Sequence, residues 1–256
     1  MNFGFTEDQE ALRKATRKFL DNECPTTFVR KMMADDTAHS TELWKKIAQL
    51  GWLGILVPEE FGGAGGSFLD LVVILEETGK SLLPGPFFAT ALLGTTAILA
   101  GGSDAQKAAL LPKIAEGTHV MTLALAEKSG RYDAAGVTLP AKAKGNDFTL
   151  SGEKMFVPDA HVADQIIVAA RTGGSGEDGI TLFLVDAKAP GVTITQLKTV
   201  DMTRRQCHIA FQDVAVARAQ VLGEVGKGWS VLRRVLDQAM AGLSAEMVGT
   251  GQKALD

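Results

Sequence analysis

The hydrophobic pattern changes period twice along the 256-residue chain, and those two changes leave few architectures open. Up to about residue 117, apolar residues recur at helical spacing. Leu43, Ile47 and Leu50, then Phe68, Leu71, Val72 and Leu75, each fall on one helix face. Start signals precede such runs: Thr6 with Gln9 and Ser103 with Gln106 fit the capping box, and Ser67 with Asp70 an acidic form of it. Between them, Val57-Pro58-Glu59-Glu60-Phe61-Gly62-Gly63-Ala64-Gly65-Gly66 is too rich in glycine for a helix and reads as an exposed loop. From about Val120 the pattern becomes short alternating runs: 120–126, 137–143, 147–155, 165–171, 180–185, 192–195 and 208–211. Seven short strands without intervening helices predict an antiparallel barrel or sandwich rather than a parallel α/β sheet. After Gly226-Lys227-Gly228, helical spacing returns with Trp229, Leu232, Leu236, Met240, Leu243 and Met247, on a helix of about 40 Å.

The expected class is therefore α+β: an N-terminal helical bundle (1–117), an antiparallel β barrel or sandwich (118–224) and the first helix of a C-terminal helical domain (225–256). That last helix has no partner helix after it. Its stripe needs cover, so the sequence predicts that the chain is truncated or that other subunits cover it, and that the isolated chain associates through residues 229–247.

Composition removes several function classes. The 26 basic and 30 acidic residues form no long run of either sign, so neither a nucleic acid nor a membrane surface is an expected partner. Only Cys24 and Cys207 are present, far apart, which predicts free thiols in a reducing compartment. The polar first ten residues read as no signal peptide, and no apolar run of about 18 residues predicts a membrane span, so the expected location is the cytoplasm. His39, His119, His161 and His208 have no metal-ligand spacing, and no G-x-S-x-G elbow occurs. Glu59-Glu60 and Glu76-Glu77 read as solvated surface. Gly174-Ser175-Gly176-Glu177-Asp178-Gly179 fits G-x-G-x-x-G but lies between two strands, where no helix N-terminus would face a pyrophosphate. Gly249-Thr250-Gly251 lies inside a predicted helix, where small residues permit close packing. A Rossmann dehydrogenase is unsupported.

Val57-Pro58-Glu59-Glu60-Phe61-Gly62-Gly63-Ala64-Gly65, followed by Glu76-Glu77-Thr78-Gly79, resembles the first-domain signature of the acyl-CoA dehydrogenases. Gln106-Lys107 with 111–117, then Leu150-Ser151-Gly152-Glu153-Lys154, 222–229 and 251–256, continue that likeness in order along essentially the whole chain. The resemblance implies an FAD-dependent α,β-dehydrogenation of an acyl-CoA thioester. A glutamate takes the proton from the α carbon, the flavin takes hydride from the β carbon, and hydrogen bonds polarise the thioester oxygen. It also implies electron-transfer flavoprotein as acceptor and a homo- or hetero-tetramer.

Carried onto this sequence, the resemblance puts Leu125, Ala126 and Glu127 along the flavin edge and Phe156, Val157 and Pro158 near its ring; Arg131, Tyr132 and Met240 fall at substrate-facing positions. Several of these depart from the family pattern. Ala126 stands where Thr is usual, Arg131-Tyr132-Asp133 replaces a Gly-Ser-Asp turn, and Phe156 and Pro158 replace Trp and Thr, so two hydroxyl donors are lost. Met240 takes the place of an Arg that many relatives direct at CoA, and Ala239 stands where one subgroup has its catalytic glutamate. The usual base is expected beyond Asp256; Glu246 is read as structural. These departures keep two alternatives open: a non-catalytic or half-site partner subunit in a hetero-oligomer, and a flavin oxygenase on the same fold.

Overall fold

A computed structural model describes residues 4–256. All three capping boxes form, at Thr6, Ser67 and Ser103, and they open α1 (Glu7–Glu23), α4 (Phe68–Ser81) and α6 (Asp104–Ala115). Between the first two lie α2 (Thr26–Ala34) and α3 (Thr41–Gln49). Leu43 and Ile47 of α3 and Leu71 and Leu75 of α4 turn inward as their spacing requires, packing with Leu20, Trp44 and Trp52. The glycine-rich loop keeps a single 3-10 turn at Glu59–Phe61. A Cβ on Gly63 would lie 2.0 Å from the Val57 carbonyl oxygen, which explains a glycine there. The Glu76-Glu77 pair departs from the expected solvated surface: Glu77 is buried and accepts two hydrogen bonds from Arg17, at 2.6 and 2.9 Å.

Before α5 (Thr95–Gly101) the chain runs as a π-helix over Phe88–Gly94. The wider winding re-routes polar groups: Thr90 Oγ1 donates to the Met121 carbonyl, and Thr95 Oγ1 donates to that of Thr90.

Eight strands are found among the described residues: β1 (Met121–Ala124), β2 (Ala141–Lys144), β3 (Asp147–Pro158), β4 (Gln165–Arg171), β5 (Ile180–Asp186), β6 (Val192–Gln196), β7 (Gln206–Val216) and β8 (Val221–Leu222). They make two four-stranded sheets, β1-β4-β5-β8 and β2-β3-β7-β6. Inward residues such as Leu150, Val157, Ile166, Phe183 and Ile209 fill the space between them. The expected antiparallel sandwich forms, with one parallel pair among its named strands. β1 and β4 are parallel, because the chain leaves β1, builds β2 and β3 of the other sheet, and returns. The Gly174–Gly179 pattern lies on the β4–β5 connection, as its context predicted.

The last helix, α7 (Gly228–Leu255), crosses α4 with glycine on both sides of the contact. A Cβ on Gly249 would meet the Glu76 carbonyl oxygen at 1.8 Å, and one on Gly79 the Glu246 carbonyl oxygen at 2.1 Å. Gly249→Ala must therefore push two backbones apart and is expected to destabilise the protein by about 1–3 kcal/mol. Urea unfolding measures it; an unchanged midpoint would show that the helices separate without cost. The predicted apolar stripe divides in two. Trp229 and Leu232 are buried against the β domain and α5, whereas Met240, Leu243 and Met247 are exposed.

Candidate active site

A cavity of about 300 Å³ opens where the π-helix, the ends of β1 and β3, the start of β7 and α7 converge. Its walls are mostly apolar: Phe88, Ala89 and Leu93 from the π-helix, Leu123 and Leu125 from β1 and the residue after it, Leu236, Ala239, Met240 and Leu243 from α7. Four polar side chains, Tyr132, Asp159, Arg204 and Gln206, interrupt them.

The β3 wall is shaped by a break in its ladder. Pairing with β7 shifts register between Lys154 and Val157, and the Met155 N–H leaves the sheet to donate to the Ala126 carbonyl at 2.8 Å. Phe156 then takes φ +54° and Asp159 φ +50°. A bulky aromatic residue rarely adopts the left-handed region, so its strain must be held by neighbours. The break turns the Phe156 ring, 44% exposed, onto the cavity wall.

Behind that wall a buried ion pair joins the segment after β1 to β3. The Lys154 amine, wholly buried, donates to Glu127 Oε1 at 2.7 Å and to the Leu125 carbonyl at 2.9 Å. Glu127 also accepts from the Thr138 hydroxyl and from the Thr138 and Leu139 amides, both at 2.9 Å. Burial pulls the Lys154 ammonium down to about 8, with Glu127 opposing the shift. For Glu127 burial acts upward, yet the Lys154 charge and the hydrogen bonds outweigh it and hold the carboxyl below its ordinary value.

Leu125, Ala126, Tyr132, Phe156, Pro158 and Met240 meet on this cavity. Three predicted site residues do not. The Glu127 side chain points into its ion pair with Lys154, Val157 packs in the β core because the register break turns it inward, and Arg131 is paired with Asp133 outside the cavity. Sequence reasoning missed Phe88, Asp159, Arg204 and Gln206. Arg204 donates to the buried Glu246 and stands over the Phe88 ring at 5.2 Å from its centroid. Glu246 also accepts from Thr78 of α4, which fits the structural role expected of it. Asp159 is buried with Oδ1 unbonded among the described residues, and burial raises its pKa to about 7 against the pull of Arg204. A signal was present: the Arg204-Arg205 pair before the predicted strand 208–211 and Asp159 just past the predicted strand 147–155 are charges with no place in a sandwich core.

The sequence model described as "Acyl-CoA dehydrogenase, N-terminal domain" matches residues 6–118, and that of the "Acyl-CoA dehydrogenase, middle domain" matches 122–214. The chain is 34% identical to a 3-(aryl)acrylate reductase of Clostridium sporogenes, over 98% of its own length and 68% of the relative's. It is 30% identical to the caffeyl-CoA reductase-Etf complex subunit CarC of Acetobacterium woodii, over 98% and 68%. The butyryl-CoA dehydrogenase structure from Megasphaera elsdenii superposes with a TM-score of 0.89 at 29% identity, covering 100% of this chain and 68% of that one. The chain thus spans about two thirds of the length of these relatives.

Proposed function

The chain belongs to the acyl-CoA dehydrogenase family, and from that premise we propose that its cavity is the flavin and acyl site of an FAD-dependent enzyme acting on an acyl-CoA thioester. The observation that carries this reading is the strained Phe156, turned out of its sheet onto the wall of an apolar cavity built by both domains and α7. The fit to a planar flavin rests on the same wall. Phe156 and Pro158 offer flat apolar faces, Leu125 and Ala126 a small-residue edge, and Gln206 a polar group. When bound, FAD supplies a two-electron acceptor for hydride from the acyl β carbon. Phe88, Leu93, Leu236 and Leu243 would then hold the acyl chain and keep water from it.

No base is assigned among the glutamates near the cavity, since Glu127 is occupied by Lys154 and Glu246 by Arg204 and Thr78. Electron-transfer flavoprotein is the acceptor we assign. The exposed Met240, Met247 and Val248 are the face assigned to contacts in a homo- or hetero-tetramer. Buried, unpaired Cys24 and Cys207 suit a cytoplasmic protein. No helix among the described residues is long and apolar enough to cross a membrane.

One observation favours a half-site partner subunit instead: Ala126 and Pro158 offer no hydroxyl at the cavity wall. The test is made on protein expressed from the complete gene, by its visible spectrum and then anaerobic titration with a panel of acyl-CoA thioesters. A yellow protein bleached by one thioester class is the expected result. A colourless, unresponsive protein overturns it in favour of the partner-subunit reading.

A further inference from the structure

We propose that the acyl group taken by this cavity carries a neutral oxygen, a carbonyl or hydroxyl, along its chain, and that Arg204 recognises it. The inference rests on the acyl-CoA reading above and names the substrate class of the same site. The guanidinium is fixed on two sides. Its Nη2 donates to Glu246 of α7, and its Cζ stands over the Phe88 ring. Nε and Nη1 donate to no acceptor among the described residues, while 24% of the side chain stays exposed, so these donors are anchored and accessible. Arg204 and Leu243 also line a second cavity of about 450 Å³ that reaches Thr78 and Thr250, so the guanidinium borders both spaces.

Three occupants can be compared on these facts. A purely hydrocarbon chain would strip water from the N–H groups and return no acceptor, leaving buried donors unsatisfied. An added carboxylate would find one guanidinium already bonded to the carboxylate of Glu246, with that of Asp201 on the wall of the second cavity beside it. A neutral oxygen accepts the free N–H groups without adding charge, and the surrounding Phe88, Leu236 and Leu243 keep that hydrogen bond dry. Its site on the acyl chain is the place that meets Arg204.

The test uses the complete FAD-loaded protein and matched-length acyl-CoA thioesters: one saturated, a series in which successive methylenes become a carbonyl, and one ending in a carboxylate. Dissociation constants are read anaerobically from the perturbation of the flavin spectrum. One carbonyl position is expected to bind about tenfold or more tighter than the saturated and carboxylate chains. Arg204→Met should erase that preference and leave binding of the saturated chain unchanged or tighter. If that variant fails to fold because Glu246 loses its partner, Arg204→Met with Glu246→Gln removes both charges and is read in the same way. Equal binding of all chains by the unaltered protein overturns the inference, as does a flavin-loaded Arg204→Met protein that keeps the carbonyl preference. A flavin that responds to none of the thioesters overturns the acyl-CoA reading itself, and this inference with it.

Discussion

Lys154→Met is expected to destabilise the protein by about 3–5 kcal/mol, the cost of leaving one member of a buried ion pair without its partner. Lys154 is wholly buried, and its amine is the only cation bonded to Glu127 among the described residues. Without it, Glu127 keeps the Thr138 and Leu139 donors but carries a charge in a closed space, and the Leu125 carbonyl loses its donor. Pairing Lys154→Met with Glu127→Gln removes both charges and should recover most of the loss, since a glutamine oxygen still accepts from the same amides. Urea unfolding of the four proteins closes a double-mutant cycle, whose coupling energy separates the pair from mere packing. If Lys154→Met alone costs less than about 1 kcal/mol, a typical hydrogen-bond loss, the pair does not hold the fold. The consequence reaches the cavity, because these bonds tie Leu125 to the strand that carries Phe156.

Periodicity made the helical and β portions legible because each element buries one face and repeats its pattern often enough to show it. The capping boxes at Thr6, Ser67 and Ser103 could be read because cap and partner lie three residues apart, so the chemistry is local. The strands 165–171 and 180–185 were readable for the same reason, from β-branched runs between turn residues. What could not be read depends on distant partners. The parallel β1–β4 pair is set by topology, and alternation is the same in either direction. The π-helix at Phe88–Gly94 has helical joints at both ends and no cap to mark it.

The cavity divides along the same line. Ala126, Phe156 and Pro158 were reachable because they sit in a motif resembling a known family, whereas the direction of each side chain was not. The break between Lys154 and Val157 sends Phe156 to the cavity and Val157 to the core, and a count of residues along the strand does not reveal where a ladder slips. Glu127 and Glu77 looked like site or surface residues for the complementary reason: the cations that neutralise them, Lys154 and Arg17, lie 27 and 60 residues away. The charges of Arg204 and Asp159 were visible in the sequence, but what they face is set only when β3, β7 and the π-helix are assembled.

Asp159 carries the second large expected effect, and its sign is fixed by which state binds the proton. Burial raises its pKa from the ordinary 3.8 to about 7, partly opposed by the Arg204 charge and the Arg205 amide. The folded state therefore holds a proton that the unfolded chain has released over that interval, and stability must fall as pH rises from about 4 through 7 before levelling. At about 1.4 kcal/mol per unit, the ionised carboxylate costs the folded protein up to about 4 kcal/mol at pH 8. Asp159→Asn removes the ionisation and suits φ +50°, since asparagine enters the left-handed region more readily than most residues. It also leaves the Arg204–Glu246 pair in place. The variant is thus expected to exceed the parent in stability at pH 8 and to approach it near pH 4. Denaturant unfolding of both proteins at the two pH values measures the difference. Parallel pH profiles would mean that Asp159 stays ionised throughout, with Arg204 outweighing its burial; the carboxylate would then be a fixed negative charge in the cavity wall and would strengthen the case against an acidic acyl group.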